Sequence, residues 1–195
     1  GVGSSNCLPK TAWPPTWSFC TFSKSISKMK DLIKLGADII PIMSFNSYKL
    51  NTRFGKAEDF IKDIEIATGN NIIHTIAGAE PIGPKKLTDV MVVCPCTGNT
   101  ISKLANDIID TPATMAVKSH LRNNLPVIIA VSTNNALSSN AENIGKLLNR
   151  KNYYFVPFKQ DNPITKPRSI VADFDMLEKT IESALNNEQI SPILC

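Results

Sequence analysis

Asp-Val-Met-Val-Val-Cys, at residues 89–94, is a near-continuous apolar stretch near the middle of this 195-residue chain. Strands of parallel sheets have this composition, because helices cover both faces of the sheet and bury every side chain. Residues 126–131, Pro-Val-Ile-Ile-Ala-Val, repeat the pattern. Both stretches are therefore predicted to be buried strands of a parallel sheet.

Helical patterns alternate with strand patterns around these two stretches. The predicted helices span residues 22–35, 56–68, 100–109, 111–123, 141–149 and 173–186, and further strands span 37–43, 72–77 and 153–158. Gly36 and Gly69 are the predicted ends of the first two helices. Such alternation implies right-handed crossovers between parallel strands. The sequence therefore predicts a single doubly wound α/β domain, Rossmann-like or flavodoxin-like, with a parallel sheet.

Two segments depart from this alternation. A doubly wound sheet usually begins with an apolar strand and a glycine-rich turn, but residues 1–16 contain neither, and their prolines Pro9, Pro14 and Pro15 argue against a central strand. We expect the sheet to begin at residue 37, or this segment to be altered relative to its relatives. The chain is accordingly divided into an atypical segment, residues 1–16, and an α/β domain, residues 17–195. Residues 162–168 are predicted to form a surface loop or lid.

Composition argues against several classes of partner. The formal charge is only +4, and the lysine groupings are too thin for a nucleic-acid-binding stripe. No apolar run approaches the ~18 residues that a membrane helix needs, and the start does not resemble a signal peptide. The five cysteines are scattered, and Cys94 and Cys96 lack the two-residue spacer of a zinc or redox pair. We therefore expect a cytoplasmic protein with reduced thiols and with no metal, membrane or nucleic-acid partner.

Polar loops follow three of the predicted strands: residues 97–100, residues 132–136 and residues 44–47. In doubly wound sheets, ligands bind at the carboxyl ends of the strands, where helix N-termini attract phosphate. Because threonine and asparagine are also ordinary helix N-caps, simple capping is the alternative for each loop. The sequence predicts a phosphate-bearing ligand at these loops, most strongly at residues 97–100.

Other candidate residues lie away from these loops. His74 is predicted to be a hydrogen-bonded core histidine, and His120 is predicted to face solvent on a helix. Residues 51–55 and 79–84 are polar loops of the kind that often carry function. Arg53, in the first of them, is suited to binding a carboxylate through its planar guanidinium. An ordinary surface ion pair is the alternative role for that arginine.

Several motifs carry a family resemblance. Residues 93–100, Val-Cys-Pro-Cys-Thr-Gly-Asn-Thr, resemble the flavoprotein family that includes the phosphopantothenoylcysteine decarboxylases. Residues 51–55 (NTRFG), 78–84 (GAEPIGP), 130–137 (AVSTNNAL) and 154–158 (YFVPF) narrow the resemblance to the family of dipicolinate synthase B subunits. The likeness covers roughly residues 17–194.

This resemblance implies a function, partners and a cofactor. In that family, A and B subunits together convert dihydrodipicolinate into dipicolinate in the mother cell of a sporulating bacterium, and NAD(P) is assigned to the A subunit. Homo-oligomers are also implied. FMN binding comes from the wider family. The FMN-binding residues that the resemblance implies are Ser18, Ser44, Thr97, Gly98, Asn99 and Thr100, with Ser132 and Asn134 at the later loop.

The sequence also departs from its relatives. Trp17 stands where a glycine is expected, and a bulky indole opposes close approach of a phosphate to that turn. Residues 132–135, Ser-Thr-Asn-Asn, replace the Pro-x-Met-Asn motif of the decarboxylases, and no Gly-Cys-Gly flap follows. Three functions are therefore considered. The leading hypothesis is a subunit of the synthase enzyme, and the second is a subunit that only binds a ligand or acts as a scaffold. A stand-alone FMN-dependent decarboxylase is the third, because its motif residues are absent.

The enzyme hypothesis assigns roles to three further residues. Its substrate is a cyclic dicarboxylate, which requires cationic or N–H donors in the site. Arg53 and Lys85 are the predicted carboxylate contacts. Arg53 is also a predicted catalytic residue, together with Glu80 as a proton acceptor. A purely structural role for Glu80 is the alternative.

Overall fold

Two buried parallel strands form the centre of the fold. In the computed structural model, which describes residues 10–13, 22–44, 48 and 57–195, the two apolar stretches become β3 (Val90–Cys96) and β4 (Val127–Thr133). They pair in parallel, with Met91 opposite Val127. The register shifts between Val93 and Cys96. Pro95 lies in this irregular stretch, where a residue without an N–H group is tolerated because the ladder is interrupted.

The described residues contain seven strands and seven helices. The other strands are β1 (Lys10–Trp13), β2 (Asp38–Pro41), β5 (Tyr153–Phe155), β6 (Phe158–Asn162) and β7 (Lys166–Ala172). The helices are α1 (Phe22–Lys34), α2 (Ala57–Thr68), α3 (Ile76–Ala79), α4 (Gly98–Ala105), α5 (Pro112–Leu121), α6 (Ala141–Leu148) and α7 (Leu177–Leu185). Two 3₁₀ turns, Glu80–Ile82 and Phe174–Met176, complete the elements. None of the helices in the described ranges is long and apolar enough to cross a membrane.

The sheet is mixed, with a parallel core. Its order is β2-β1-β3-β4, and β5 pairs in parallel with the first half of β4. The end of β4 pairs instead with β7, which is antiparallel and forms a hairpin with β6. Because β5 and β7 follow one another along the same edge of β4, the hairpin stands at the carboxyl end of the parallel strands.

Helices on both faces make the fold doubly wound, as predicted. One buried cluster contains Met91 and Val93 of β3, and the cluster on the other face contains Val90 and Val92. This division explains why the strand is apolar at every position. The helix ends at Gly36 and Gly69 are also as predicted, since both glycines adopt the positive φ that ends a helix.

The expectation that the sheet begins at residue 37 is wrong. β1 lies between β2 and β3 and pairs in parallel with both. Lys10 N–H also donates to Asp89 Oδ2 at 2.8 Å. The prolines at positions 9 and 14 flank this strand rather than interrupting it, so they remove no hydrogen bond between Lys10 and Trp13. The division of the chain at residue 16 stays a prediction.

The surface loop predicted at residues 162–168 is also wrong. This segment is the turn and second strand of the β6–β7 hairpin. Asn162 Oδ1 accepts hydrogen bonds from the N–H groups of Ile164 and Thr165, so the asparagine side chain closes the turn. The strand predicted at residues 153–158 accordingly divides into β5 and the start of β6.

The strand predicted at residues 72–77 is reduced to one bridge. Ile73 pairs with Ile42 at the end of β2, and α3 begins at Ile76. Thr75 caps that helix, because its side chain accepts a hydrogen bond from Gly78 N–H. The local capping interaction therefore ends the extended segment early.

His120 does not face solvent, contrary to the sequence prediction. Its side chain is buried between α5 and the start of β4, where Nε2 lies 2.9 Å from Pro126 O and Nδ1 lies 2.8 Å from Thr88 Oγ1. A carbonyl oxygen can only accept, so Nε2 carries the proton, and Nδ1 accepts from the threonine hydroxyl. Burial lowers the pKa of His120 below its ordinary value, although the hydrogen bond to Pro126 acts in the opposite direction.

The buried His120 is expected to make the protein less stable in mild acid. Its folded-state pKa lies below the unfolded value of about 6.5, so the unfolded chain binds the proton first as the pH falls. The free energy of unfolding should be highest above that unfolded value and should fall as the pH drops toward the lowered pKa. Urea unfolding at pH 7.5 and at about pH 5.5 should show a smaller difference in His120→Gln than in the parent.

His74→Gln is the matched control for this prediction. His74 is only half-buried and stacks on Tyr48, with ring centroids 4.0 Å apart. Its substitution removes an imidazole outside the His120 pocket and so controls for the loss of a histidine alone. An equal loss of pH dependence in the two variants would contradict the role of His120.

Candidate functional site

Two of the three predicted polar loops meet at the carboxyl edge of the sheet, because β3 and β4 are neighbours. β3 leads through Thr97 into α4, and β4 leads into a turn that precedes α6. Thr97, Gly98 and Asn99 line a single cleft together with residues 132–135. The structure therefore brings residues from two distant parts of the sequence to one surface.

The N-terminus of α4 lacks side-chain capping. Thr97 is its N-cap and has extended backbone angles, but its side chain makes no capping hydrogen bond to the first turn. Thr97 Oγ1 instead donates to Thr100 Oγ1 at 3.4 Å. By contrast, Thr111 forms a complete capping box at the start of α5. The positive end of the α4 dipole therefore faces the cleft without a side-chain cap.

Gly98 is required by protein packing at this position. A Cβ atom there would lie 2.6–2.7 Å from Thr133 Oγ1, Asn135 Oδ1 and Asn140 Nδ2. Those side chains bond to one another, since Thr133 Oγ1 and Asn140 Nδ2 both donate to Asn135 Oδ1, at 2.6 and 2.9 Å. The glycine thus lets α4 pack closely against the turn after β4.

The cleft has a volume of ≈ 1120 Å³. Besides the two loops, α1 contributes Lys24, Ser27 and Lys28. The β6–β7 hairpin and the 3₁₀ turn that follows it supply the remaining walls. Their lining side chains include Lys159, Asp161, Lys166, Ser169, Ile170, Asp173, Phe174 and Asp175.

Ion pairs fix two of the cleft's four lysines. Lys28 Nζ lies 2.5 Å from Asp175 Oδ1 and joins α1 to the 3₁₀ turn. Lys166 Nζ lies 2.9 Å from Asp161 Oδ2 within the hairpin. The hydrogen bond to Asp175 raises the pKa of Lys28, and the same bond lowers the pKa of Asp175. Both groups are therefore charged near neutral pH.

The two cysteines before the first loop are unreactive. Both are fully buried, and burial raises the pKa of the Cys94 thiol to about 12 and raises that of Cys96 further. A thiol is nucleophilic only as the thiolate, so neither side chain is a nucleophile in this state. Ser25 Oγ donates to Cys94 O at 2.5 Å and ties α1 to the end of β3.

Proton-transfer groups are sparse in this cleft. Neither His74 nor His120 lines it. The acidic lining residues are Asp161, Asp173 and Asp175. In the described part of the chain, no three histidine, cysteine, aspartate or glutamate side chains cluster so as to hold a metal ion.

The cofactor-binding residues predicted from the sequence fall into three groups. Thr97, Gly98, Asn99, Ser132 and Asn134 line the cleft. Thr100 is buried in the first turn of α4 and does not line it, and neither does Ser44 at the end of β2. Ser18 lies outside the described residues, as does Trp17.

Two of the predicted catalytic and substrate-binding residues, Glu80 and Lys85, do not line this cleft. Glu80 and Lys85 lie in the segment between α3 and β3, which packs against α5. Glu80 O accepts a hydrogen bond from Ser119 Oγ at 2.5 Å, and both Glu80 and Lys85 are exposed. Arg53 lies outside the described residues.

The sequence interpretation missed the lysines of the cleft. Lys24 and Lys28 are one helical turn apart and therefore share a face of α1. That spacing was a usable signal, because the helix after the first strand of a doubly wound sheet begins at the ligand-binding edge. Lys159 was missed because the hairpin was not predicted.

Comparison with known proteins places the chain in a family. A family model described as Flavoprotein matches residues 16–183. The dipicolinate synthase B subunit of Bacillus subtilis (strain 168) is 46% identical over 179 residues, which cover 92% of this chain and 90% of that protein.

Solved structures agree with this placement. The crystal structure of the dipicolinate synthase B subunit from Bacillus halodurans C superposes with a TM-score of 0.88 at 41% identity, covering 96% of each chain. DmrB of Burkholderia xenovorans in complex with FMN, a cubic protein cage for redox transfer, has a TM-score of 0.66 at 18% identity, over 91% of this chain and 96% of that one. The latter likeness concerns the fold alone. The chain therefore belongs to the flavoprotein family and, within it, to the family of dipicolinate synthase B subunits.

Proposed function

We propose that this chain acts as the B subunit of a dipicolinate synthase, binds FMN in the cleft, and works with an A subunit to convert dihydrodipicolinate into dipicolinate. The similarity to the Bacillus B subunits over nearly the whole chain supports the reaction. One structural observation supports the location of the FMN site. The N-terminus of α4, which has no side-chain cap, opens into a large cleft at the carboxyl edge of the sheet.

The residues of the cleft fit FMN. A phosphate group is suited to the N-terminus of α4, where Thr97 and Asn99 add polar side chains beside the helix dipole. Ser132 and Asn134 supply further polar groups. Ile170 and Phe174 give the cleft an apolar surface against which a planar ring can pack. When bound, FMN would supply two-electron redox chemistry.

The chain's own residues bind the substrate, orient it and accept a proton. Converting a dihydropyridine into a pyridine removes two electrons and two protons, so the site needs a proton acceptor. Asp161 and Asp175 are each held by a lysine, and Asp173 Oδ1 accepts from Asp175 N–H. The sequence also predicted roles for Glu80, Arg53 and Lys85. Glu80 and Lys85 do not line the cleft, so those two roles would require a second surface, and the role of Arg53 stays a prediction.

The proposal includes a cellular setting and an assembly. The chain works in the cytoplasm of the mother cell, NAD(P) binds to the A subunit, and the activity is that of an oxidoreductase that requires both subunits. The chain also forms a homo-oligomer.

A non-catalytic subunit is the second candidate function. Both histidines of the chain lie outside the cleft, and the acidic groups that line it are engaged by neighbours. A subunit whose cleft lacks a free proton-transfer group could bind a ligand and hold the A subunit in place without performing chemistry.

Assays of the A subunit alone, this chain alone and the two together should separate these functions. We expect turnover of dihydrodipicolinate only when both subunits are present, and we expect the mixture to lose activity when FMN is removed. After reconstitution with FMN, the purified chain should retain flavin absorbance. Light absorption and dipicolinate formation are the two measurements.

Two results would contradict the enzyme proposal. If the A subunit alone turns over at the full rate, this chain is outside the catalytic unit. If the mixture is equally active with and without FMN, and the chain retains no flavin from a millimolar solution, the non-catalytic function is favoured.

A further inference from the structure

We infer that Lys24 and Lys159 bind the two carboxylates of the substrate from different walls of the cleft. This inference deepens the proposed function and rests on it for the identity of the substrate. It replaces Lys85, which does not line the cleft, as the lysine that contacts a carboxylate.

The charge balance of the cleft singles out these two lysines. Four lysines and three aspartates line it, and two of those lysines are paired with two of the aspartates. The third aspartate, Asp173, accepts a hydrogen bond from Asp175 N–H, as the cap of its 3₁₀ turn. Among the residues that the structure describes, Lys24 and Lys159 are therefore the cleft lysines without an ion pair.

The two lysines approach the cleft from separate elements. Lys24 lies in the first turn of α1, and Lys159 is the second residue of β6. Both are exposed and extend from elements that pairing or packing holds in place, since Lys28–Asp175 anchors α1 and β6 is hydrogen-bonded to β7. Two cations on separate walls are suited to a ligand with two separate anionic groups.

The wall of the cleft also contains two apolar side chains. Ile170 and Phe174 line the same cleft and are almost completely buried by their own neighbours, at 5% and 7% exposure. Because so little of either side chain is exposed, their contact with a pyridine ring is small, and the lysines at the walls fix most of its orientation. A planar dicarboxylate is therefore recognised mainly through its two carboxylates.

A phosphate is the other anion that these lysines could bind. The shared chemistry is an oxyanion held by an ammonium group, and its source is either the substrate or FMN. The α4 N-terminus already supplies a phosphate-binding position, so we assign the lysines to the carboxylates. Separate titrations with dipicolinate and with FMN distinguish the two sources.

Calorimetric titration of dipicolinate into the full-length chain tests the inference. Lys24→Met and Lys159→Met should each weaken dipicolinate binding about 5-fold, and the double variant roughly 25-fold, since exposed ion pairs contribute modestly and separate sites add. Their FMN affinity should stay at the parent's value. Added salt should weaken dipicolinate binding more in the parent than in the double variant. Lys118→Met, at an exposed α5 lysine outside the cleft, controls for the lost net charge.

The other possible outcomes either overturn the inference or support it independently of the proposed function. Unchanged dipicolinate affinity in the double variant, or no dipicolinate binding by the parent with or without the A subunit, would overturn it. Loss of FMN affinity with dipicolinate affinity kept would also overturn it and assign the lysines to the phosphate. If the two subunits together make no dipicolinate, yet dipicolinate binding still depends on both lysines, the proposed function fails and the carboxylate site is supported.

Discussion

Gly83→Ala is expected to lower the free energy of unfolding by about 3 kcal/mol, because the added Cβ would lie 2.1 Å from the backbone oxygen of Ser119. Gly83 has a φ of −74°, which any residue adopts, so the cost is steric rather than conformational. The opposing atom belongs to the backbone of α5 and cannot move unless the helix moves. Any such shift would also weaken the 2.7 Å bond from Gly83 N–H to Ser119 Oγ. Urea unfolding measures the change.

Gly145→Ala is the matched control for Gly83→Ala. Gly145 lies inside α6, and a Cβ there would meet nothing within 4 Å. Alanine has the higher helix propensity, so this variant should be about 0.5–1 kcal/mol more stable than the parent. Changes of the same sign and size in the two variants would contradict the close packing of Gly83 on α5.

The packing around Gly83 also explains why Glu80 and Lys85 do not line the cleft. From sequence, residues 79–84 are a polar loop, and polar loops often carry function. In the structure, Gly83 and Glu80 both bond to Ser119, and Asn123 Nδ2 donates to Gly83 O. The loop's backbone is therefore used to attach the segment before β3 to α5. Such tertiary pairing leaves no periodic signal in the sequence.

Burial on both faces made the central strands predictable, whereas tertiary pairing alone produces the hairpin. β3 and β4 are apolar at nearly every position, and only a strand covered on both faces accounts for such a run. In β6, by contrast, Phe158 is buried and the four residues that follow are exposed. Those residues form a strand because β7 pairs with them and β7 itself is fixed to the end of β4.

β1 was missed for a related reason. Four residues with lysine and threonine among them do not make an apolar run. The strand is held instead by backbone pairing on both sides, with β2 and with β3. Backbone hydrogen bonds do not depend on side-chain polarity, so a pattern search has nothing to detect there.

The site was predictable only where topology fixes it. The carboxyl ends of parallel strands lie at one edge, so the loops after β3 and β4 could be placed together from sequence. The lysines could not be placed, because helical periodicity identifies the apolar face of α1 and leaves open what its polar face meets. His120 was misplaced for a similar reason, because a polar residue on a helix is expected to face solvent. It is buried instead, since Thr88 and Pro126 O provide hydrogen-bond partners for both ring nitrogens.

Thr97→Val is expected to weaken FMN binding about 10- to 150-fold and to lower the apo protein's stability by less than the loss of a helix cap does. Under the proposed function the Thr97 hydroxyl lies at the phosphate position, and a hydrogen bond to a charged acceptor contributes about 1.5–3 kcal/mol. Valine keeps the shape and removes the hydroxyl. Since the Thr97 side chain makes no capping bond to α4, its loss removes no cap. Thr100→Val should have a smaller effect on binding, because Thr100 does not line the cleft.

Thr111→Val should give the opposite result and is the matched control for Thr97→Val. Thr111 Oγ1 accepts from Thr114 N–H at 3.1 Å and completes the capping box of α5, so its loss should cost about 1 kcal/mol of stability. FMN affinity should not change, because Thr111 lies outside the cleft. Fluorescence titration with FMN and urea unfolding of the apo protein give the two measurements for each variant. If Thr97→Val loses stability and binds FMN as tightly as the parent, Thr97 is a structural residue and the phosphate position at α4 is wrong.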